Sequence, residues 1–319
     1  MGAAAVSTQP LETGRAAPMS SIAVPRAVAP RRTWQTDLPV LLVAVVWGAS
    51  YLAAKDITTA RTVLAVLVLR FALVLPVLAV VGHRALRALT AAQWRGAALL
   101  GLILAGIFLL ETYGVVHTSA TNAGLIISLT MIFTPLAEAA VTRTRPSRAF
   151  LGAAAVSVLG VLLLTQGAGF SRPSLGDLLM LLAALARTLH VLAMSRSKSV
   201  RGADALPLTT VQLGTAVAVF AILSTGADTT PWATAADFGA REWAGLLFLS
   251  VFCTLFAFFV QMWAVRRTSP SRVSLLLGTE PLWAAAAGIA LGGERLGAFG
   301  LAGGVLVLVG TAWGRGAAR

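Results

Sequence analysis

From position 38 onward the chain alternates long apolar runs with short polar or glycine- and proline-containing breaks. Ten runs are distinguishable, at residues 38–57, 60–82, 96–116, 120–141, 149–167, 177–196, 206–226, 242–265, 272–292 and 298–314. A helix needs roughly 20 apolar residues, at about 1.5 Å each, to cross a hydrocarbon core of about 30 Å. The pattern therefore predicts an all-α polytopic membrane protein with ten transmembrane helices. The least marked break separates the third and fourth runs, where only His117-Thr-Ser-Ala-Thr-Asn interrupts the apolarity. Residues 1–36, rich in Ala, Pro, Ser and Arg, hold no apolar run long enough for a signal-peptide core and read as a disordered cytoplasmic tail.

Composition agrees with a membrane setting: 57% of the 319 residues are hydrophobic and 12% charged, with mean hydropathy +0.84. The formal charge of +13 raises nucleic-acid binding as an alternative, but that requires a basic patch or stripe. Here the basic residues stand singly or in twos and threes between apolar runs. With the N-terminus cytoplasmic, 18 of the 25 basic residues fall in cytoplasmic segments. Five (Lys55, Arg61, Arg172, Arg241, Arg295) fall outside, and two (Arg70, Arg187) lie within runs. This is the asymmetry expected of a multi-pass protein of the inner or plasma membrane with both termini inside. The single cysteine, Cys253, lies in an apolar run and reads as an inert buried thiol.

The runs repeat internally. Asp37-Leu38 opens the first as Asp177-Leu178 opens the sixth, which sets Trp47 opposite Arg187 and Ser50 opposite His190. The fourth and ninth runs each carry an internal proline, in Thr134-Pro135-Leu136 and Glu280-Pro281-Leu282. The fifth and tenth match around Gly160 and Gly310. Residues 37–167 and 176–314 thus read as two five-helix repeats. Five is odd, so the halves must be inverted with respect to each other, as in secondary transporters that alternate access around a midplane site.

Six ionisable side chains fall inside runs: Arg70, Glu111, Glu138, Arg187, His190 and Glu280. A charge at a helix centre costs about 2.5 to 3.5 kcal/mol on insertion scales, so each needs a partner, a wet cavity or a task. Arg70, Arg187 and Glu280 lie closest to run centres. Arg187 and His190 share one face of the sixth helix, and Trp47, Ser50, Tyr51 and Lys55 share one on the first. The candidate substrate-binding set is accordingly Trp47, Ser50, Tyr51, Arg70, Arg187, His190 and Glu280. Arg187 offers a bidentate donor to a carboxylate or phosphate; the alternative is an internal strut to Glu280 or Glu111. Glu280, beside Pro281, and Glu111 are the proton-coupling candidates, with helix packing as the other reading of Glu280. The spacings Gly300-x-x-x-Gly304 and Gly310-x-x-x-Gly314 suit close packing within the monomer, or a homodimer seam through the tenth helix. His83, His117 and His190 are scattered, no Cys/His pair has metal-ligand spacing, and no phosphate-cradling glycine loop with a lysine occurs. The sequence calls for no catalytic residue, metal or cofactor.

The segment from Thr254 through Gln261 and Pro270 to Glu280-Pro281, followed by Leu291-Gly-Gly-Glu294-Arg-Leu, resembles the ten-helix EamA type of the drug/metabolite transporter superfamily. Trp47-Gly48-Ala-Ser50, Lys55, Arg70 and Thr118-Ser-Ala-Thr-Asn-Ala add to the likeness. Two positions depart from it: Thr144 stands where the second repeat has Glu294, and Arg187 where the family more often places an aromatic. The resemblance implies two inverted five-helix repeats around a central cavity that moves small metabolites, often by export. The functional expectation is a gradient-driven exporter of a small amino-acid-like, anionic or amphipathic metabolite, its partners being that solute and membrane lipid. A flippase for lipid or lipid-linked sugar shares the fold, and an intramembrane enzyme is the third class.

Overall fold

The computed structural model describes residues 2, 34–164, 173–267, 273 and 276–317. Every regular element among them is helical: α1 (Trp34–Ile57), α2 (Val63–Ala72), α3 (Leu75–Arg87), α4 (Ala91–Val116), α5 (Ala120–Ile127), α6 (Thr130–Thr142) and α7 (Arg148–Leu164) precede α8 (Leu175–Arg196). Then come α9 (Ala205–Ser224), α10 (Pro231–Asp237), α11 (Ala240–Leu247), α12 (Ala257–Arg267), α13 (Glu280–Ala290) and α14 (Ala298–Ala317). A 3-10 turn follows α8 at Lys198–Val200, and a π-helix, Phe248–Phe256, joins α11 to α12. Because α1 begins at Trp34, the last three residues of the expected tail are helical; the rest of it, Gly2 apart, lies outside the described residues.

Six helical stretches are each long and apolar enough to cross a bilayer, and α2 with α3 makes a seventh, bent by 45°. The bend has a local cause: Pro76 has no N–H for the carbonyl of Ala72, and its ring crowds the turn before it. The shorter apolar helices α7 and α14 cover the fifth and tenth runs, and α13 lies in the ninth. Apolar residues also face outward, as lipid demands. Leu178, Leu182, Leu185 and Leu189 recur every third or fourth residue of α8 and are about half exposed, while Met180, Ala183, Ala184 and Thr188 are buried. Polar groups such as Thr112, Asp177 and Gln212 sit inside.

Packing follows a two-fold pattern. α1 lies against α13 as α8 lies against α5 and α6; α1 meets the α11–π–α12 helix as α8 meets α4. Corresponding helices also pair with each other: α7 with α14, α5 with α13, and α2 and α3 with α9. Exchanging the two halves of the chain preserves these pairings, although α4 packs on α9 far more extensively than α2 does on the α11–π–α12 helix. Glycine permits the closest of these approaches. A Cβ on Gly160 would lie 2.6 Å from the Val307 nitrogen, and one on Gly310 2.8 Å from the Ser157 nitrogen. Of the glycines singled out above by spacing, Gly310 packs on α7, while Gly304 faces Leu125 of α5 and Gly314 faces Ile132 of α6.

The breaks after the first, third and seventh runs converge on one end of the bundle. There Lys55 Nζ donates to the Thr118 carbonyl, Thr118 Oγ1 to Asp177, Arg241 to Asp56, and Thr229 Oγ1 to the Arg61 carbonyl. The breaks after the second, fourth and sixth runs, with Arg84, Arg87, Arg95, Arg143, Arg145, Arg148, Arg196, Lys198 and Arg201 in them or at the adjoining helix ends, lie at the other. The arginine asymmetry read along the chain is thus an asymmetry between two ends of one bundle.

Candidate functional site

Midway along the bundle lies a cavity of about 210 Å³. Its walls come from both halves of the chain: Trp47, Ser50 and Tyr51 from α1, Arg70 and Phe71 from α2, Phe108, Glu111 and Thr112 from α4, Arg187 from α8, Cys253 and Thr254 from the π-helix, Phe258 and Gln261 from α12, and Glu280. Liquid water takes about 30 Å³ per molecule, so this space holds the equivalent of roughly seven waters.

Gly48 is what lets α1 reach this position against α13, since a Cβ there would stand 2.6 Å from both the Ala284 nitrogen and Trp283 Cβ. One turn further along α1, Tyr51 Oη donates to Glu280 Oε1 at 2.9 Å. Glu280 is the first residue of α13, with Pro281 directly after it in the first turn. The sequence suggested a proline kink within a continuous ninth helix. Instead, Thr279 N bonds Leu276 O and Leu282 N bonds Thr279 O, three-residue turns that break the helix before Glu280. Proline suits a first turn, where its missing N–H is not needed, and the amino end of a helix favours a carboxylate.

Arg187 Nε donates to Glu111 Oε1, tying α8 to α4 within the cavity wall. The arginine side chain remains 36% exposed and the glutamate 12%. Glu111, placed towards an interface by sequence, is therefore a cavity residue. Arg70 differs. Its guanidinium carbon lies 4.9 Å from the centre of the Phe71 ring and 5.8 Å from that of Phe108. Its Nε is buried without a hydrogen-bond partner. Its backbone carbonyl accepts from Ser250 Oγ at 2.9 Å, which fixes α2 to the π-helix.

Of the residues proposed from sequence, the structure brings Trp47, Ser50, Tyr51, Arg70, Glu111, Arg187 and Glu280 to one cavity. It does not bring His190, which turns aside to bond Gln212 Oε1 through Nε2 at 2.7 Å, outside the cavity wall. Three residues along a helix displaces a side chain by about 60° around the axis, enough to separate it from Arg187. Glu138 is exposed. Ser50 lines the cavity with its hydroxyl already given to the Trp47 carbonyl, at 2.6 Å. Sequence reasoning did not single out Phe108, the π-helix or the bond from Trp47 Nε1 to the Cys253 carbonyl, 2.8 Å. A π-helix exchanges the usual hydrogen-bond spacing for one residue more, as Thr254 Oγ1 reaching back to Leu249 O illustrates. Its only sequence signal is an aromatic and β-branched run, which an ordinary helix shares.

A second polar group lies at the end that carries Lys55. Glu294 accepts from the backbone N–H groups of Ala120, at 2.6 Å, and Thr121, at 3.0 Å, so the loop after α13 caps the start of α5. Asp177 completes the capping box of α8 with Ser174 and also accepts from Thr118 Oγ1 and from Asn122 Nδ2 at 3.2 Å. Both carboxylates belong to the second half of the chain and hold the first.

Comparison with known proteins gives three findings. The family model described as "EamA-like transporter family" matches residues 34–166 and again 174–313. An "Uncharacterized transporter" of Archaeoglobus fulgidus is 24% identical over 287 residues, 87% of this chain and 96% of that one. A crystal structure titled only as that of a protein superposes with TM-score 0.58 at 16% identity, covering 88% of this chain and 96% of the other, a likeness of fold.

Proposed function

This chain belongs to the EamA-like transporter family, making it a multi-pass membrane transporter rather than an enzyme, and on that premise we propose a gradient-driven exporter of a small polar or amphipathic metabolite. The observation that carries the reading is the central cavity, built from both halves and holding two arginines and two glutamates. It is read as the midplane site of ten helices in two inverted repeats, 37–167 and 176–314, which rock around it in alternating access. The arginine-rich end faces the cytoplasm, with both termini there, in an inner or plasma membrane. The Glu294 and Asp177 bridges then seal the outer end and must part when it opens.

Glu280 is the better proton carrier of the two cavity glutamates. Glu111 is engaged by Arg187 in a salt bridge that joins two helices. Glu280 is held by a neutral phenol, whose hydrogen bond survives protonation of the other carboxylate oxygen.

The test is untargeted metabolite profiling of medium from cells expressing the wild type or Glu280→Gln, followed by counterflow of any enriched solute in proteoliposomes. Solute enrichment with the wild type and counterflow in liposomes are expected. No enriched solute and no counterflow, with lipid translocation in the same liposomes, would replace the exporter with a flippase. Reporter fusions within 196–201 should report the cytoplasm; an external signal overturns the orientation.

A further inference from the structure

Resting on the exporter reading, we infer that Arg70, not Arg187, is the residue that receives the cargo, and that what it receives is a carboxylate on a small, partly apolar body. The two cavity arginines differ in what they have left to offer. Arg187 has spent its Nε on Glu111 in a salt bridge that already joins two helices. Arg70 forms no salt bridge and no side-chain hydrogen bond among the described residues, and its Nε is buried with no acceptor. A guanidinium carries five N–H donors in a rigid fork that matches a carboxylate, and it cannot shed its proton to escape an unpaired state. Cation–π contact with Phe71 and Phe108 steadies the charge and orients the fork, but accepts none of its hydrogen bonds. An unanswered buried donor is rare in native structures and calls for an explanation. Because the Arg70 side chain also lines the cavity, the explanation at hand is a transient ligand that reaches its fork.

The rest of the cavity defines the ligand's other end. Phe71 and Phe108 lie against the arginine, and Phe258 and Trp47 add ring surface elsewhere in the cavity, which suits an apolar or aromatic body. Trp47 has committed its indole N–H to the Cys253 carbonyl and so presents ring alone. At about 210 Å³ the space lies below the roughly 300 to 1,000 Å³ of pockets for drug-sized ligands. That fits a molecule of about ten heavy atoms.

Benzoate, with benzamide as its neutral isostere, is a sufficient probe. Protein in nanodiscs is titrated with each, following tryptophan fluorescence and thermal unfolding. The wild type is expected to bind benzoate and be stabilised by it, and to discriminate against benzamide. Arg70→Gln should weaken benzoate binding by about tenfold or more, the worth of one charge-assisted hydrogen bond. The double variant Arg187→Gln/Glu111→Gln, which removes both members of the salt bridge, should lose far less, under about threefold. If Arg70→Gln does not fold, Arg70→Lys keeps the charge without the fork and should bind benzoate more weakly than wild type while still rejecting benzamide. Equal binding of benzoate and benzamide to the wild type overturns the proposal, as does a loss confined to the double variant. Export of an identified solute without benzoate discrimination would remove the anion site and leave the transporter reading standing; discrimination without export would do the reverse.

Discussion

At the Lys55 end of the bundle Glu294 and Asp177 accept from backbone N–H groups at helix starts, whereas the cavity carboxylates Glu280 and Glu111 rest on side chains. Glu294 accepts from two peptide N–H groups at the start of α5, and Asp177 completes a capping box at the start of α8. Glu280 and Glu111 instead rely on Tyr51 and Arg187, and Arg70 Nε has no acceptor among the described residues. Peptide groups at a helix start are fixed in direction and lose their partner only if the helix itself moves. Side-chain partners can exchange by rotamer changes alone. The first arrangement suits a clasp that opens with rigid-body motion, the second a site where a solute or proton competes for partners.

The largest way to break this comparison is to deny the two halves their close approach. Gly48→Leu would push four carbons into a gap where even a Cβ meets the backbone of α13 at 2.6 Å. Overpacking costs of this kind run from about 1 to 3 kcal/mol, and more where backbone is struck. We expect loss of the monodisperse folded protein in detergent, or a thermal midpoint too low for transport assays. A stable, active Gly48→Leu would mean that the Tyr51–Glu280 contact does not depend on the crossing of α1 and α13.

Next in size, Glu280→Gln keeps the shape and removes the ionisable group. Gradient-driven net efflux should fall by roughly tenfold or more, while counterflow, which needs no net proton movement, persists. Loss of both would make Glu280 a packing or cargo-binding residue.

How much of this was legible from sequence differs between the two regions. The cavity charges stood out because an ionisable residue in an apolar run is costly and so must have a purpose. Reading six of them along the chain found Arg70, Glu111, Arg187 and Glu280, and the first helix added Trp47 and Tyr51. What periodicity could not decide was which partner each takes: the strut from Arg187 was open between Glu280 and Glu111, and the pair it forms with Glu111 spans 76 residues. His190 was misplaced for a related reason, since 60° of helix rotation divides cavity from packing. The clasp was harder. Asp177 and Glu294 lie at helix ends, where acidic residues are ordinary caps, and nothing local shows that Glu294 caps a helix 174 residues away. The helix break before Glu280 was signalled only by Pro281, directly after it, and that before Thr130 only by Pro135, more than a turn later, where the chain makes 3-10-type turns.

The clasp itself is tested by Glu294→Ala, which leaves the N–H groups of Ala120 and Thr121 without their acceptor. Losing such a partner costs about 1 to 3 kcal/mol, and Glu294→Gln, keeping one oxygen, should cost less. The readout is the rate at which an impermeant maleimide, added from the Lys55 side, labels a cysteine placed at Ser50 in a Cys253→Ala background. Faster labelling in Glu294→Ala is expected, with Gln between. An unchanged rate would reduce Glu294 to a local cap with no part in sealing the cavity.

The smallest effect on transport, and the sharpest on the boundary of the site, belongs to His190→Ala. Its neighbour Arg187, one turn away, lines the cavity, while His190 bonds Gln212, which is itself buried at 4% exposure. Removing the imidazole leaves Gln212 Oε1 without that partner on the packing side of the helix. The expected cost is about 1 kcal/mol of stability, visible as a lower thermal midpoint, while transport of an identified solute at a temperature where both proteins are folded changes by less than about twofold. A large fall in affinity with an unchanged midpoint would put His190 inside the site, and the division drawn here between the cavity face and the packing face of α8 would have to be moved by a full residue position around the helix.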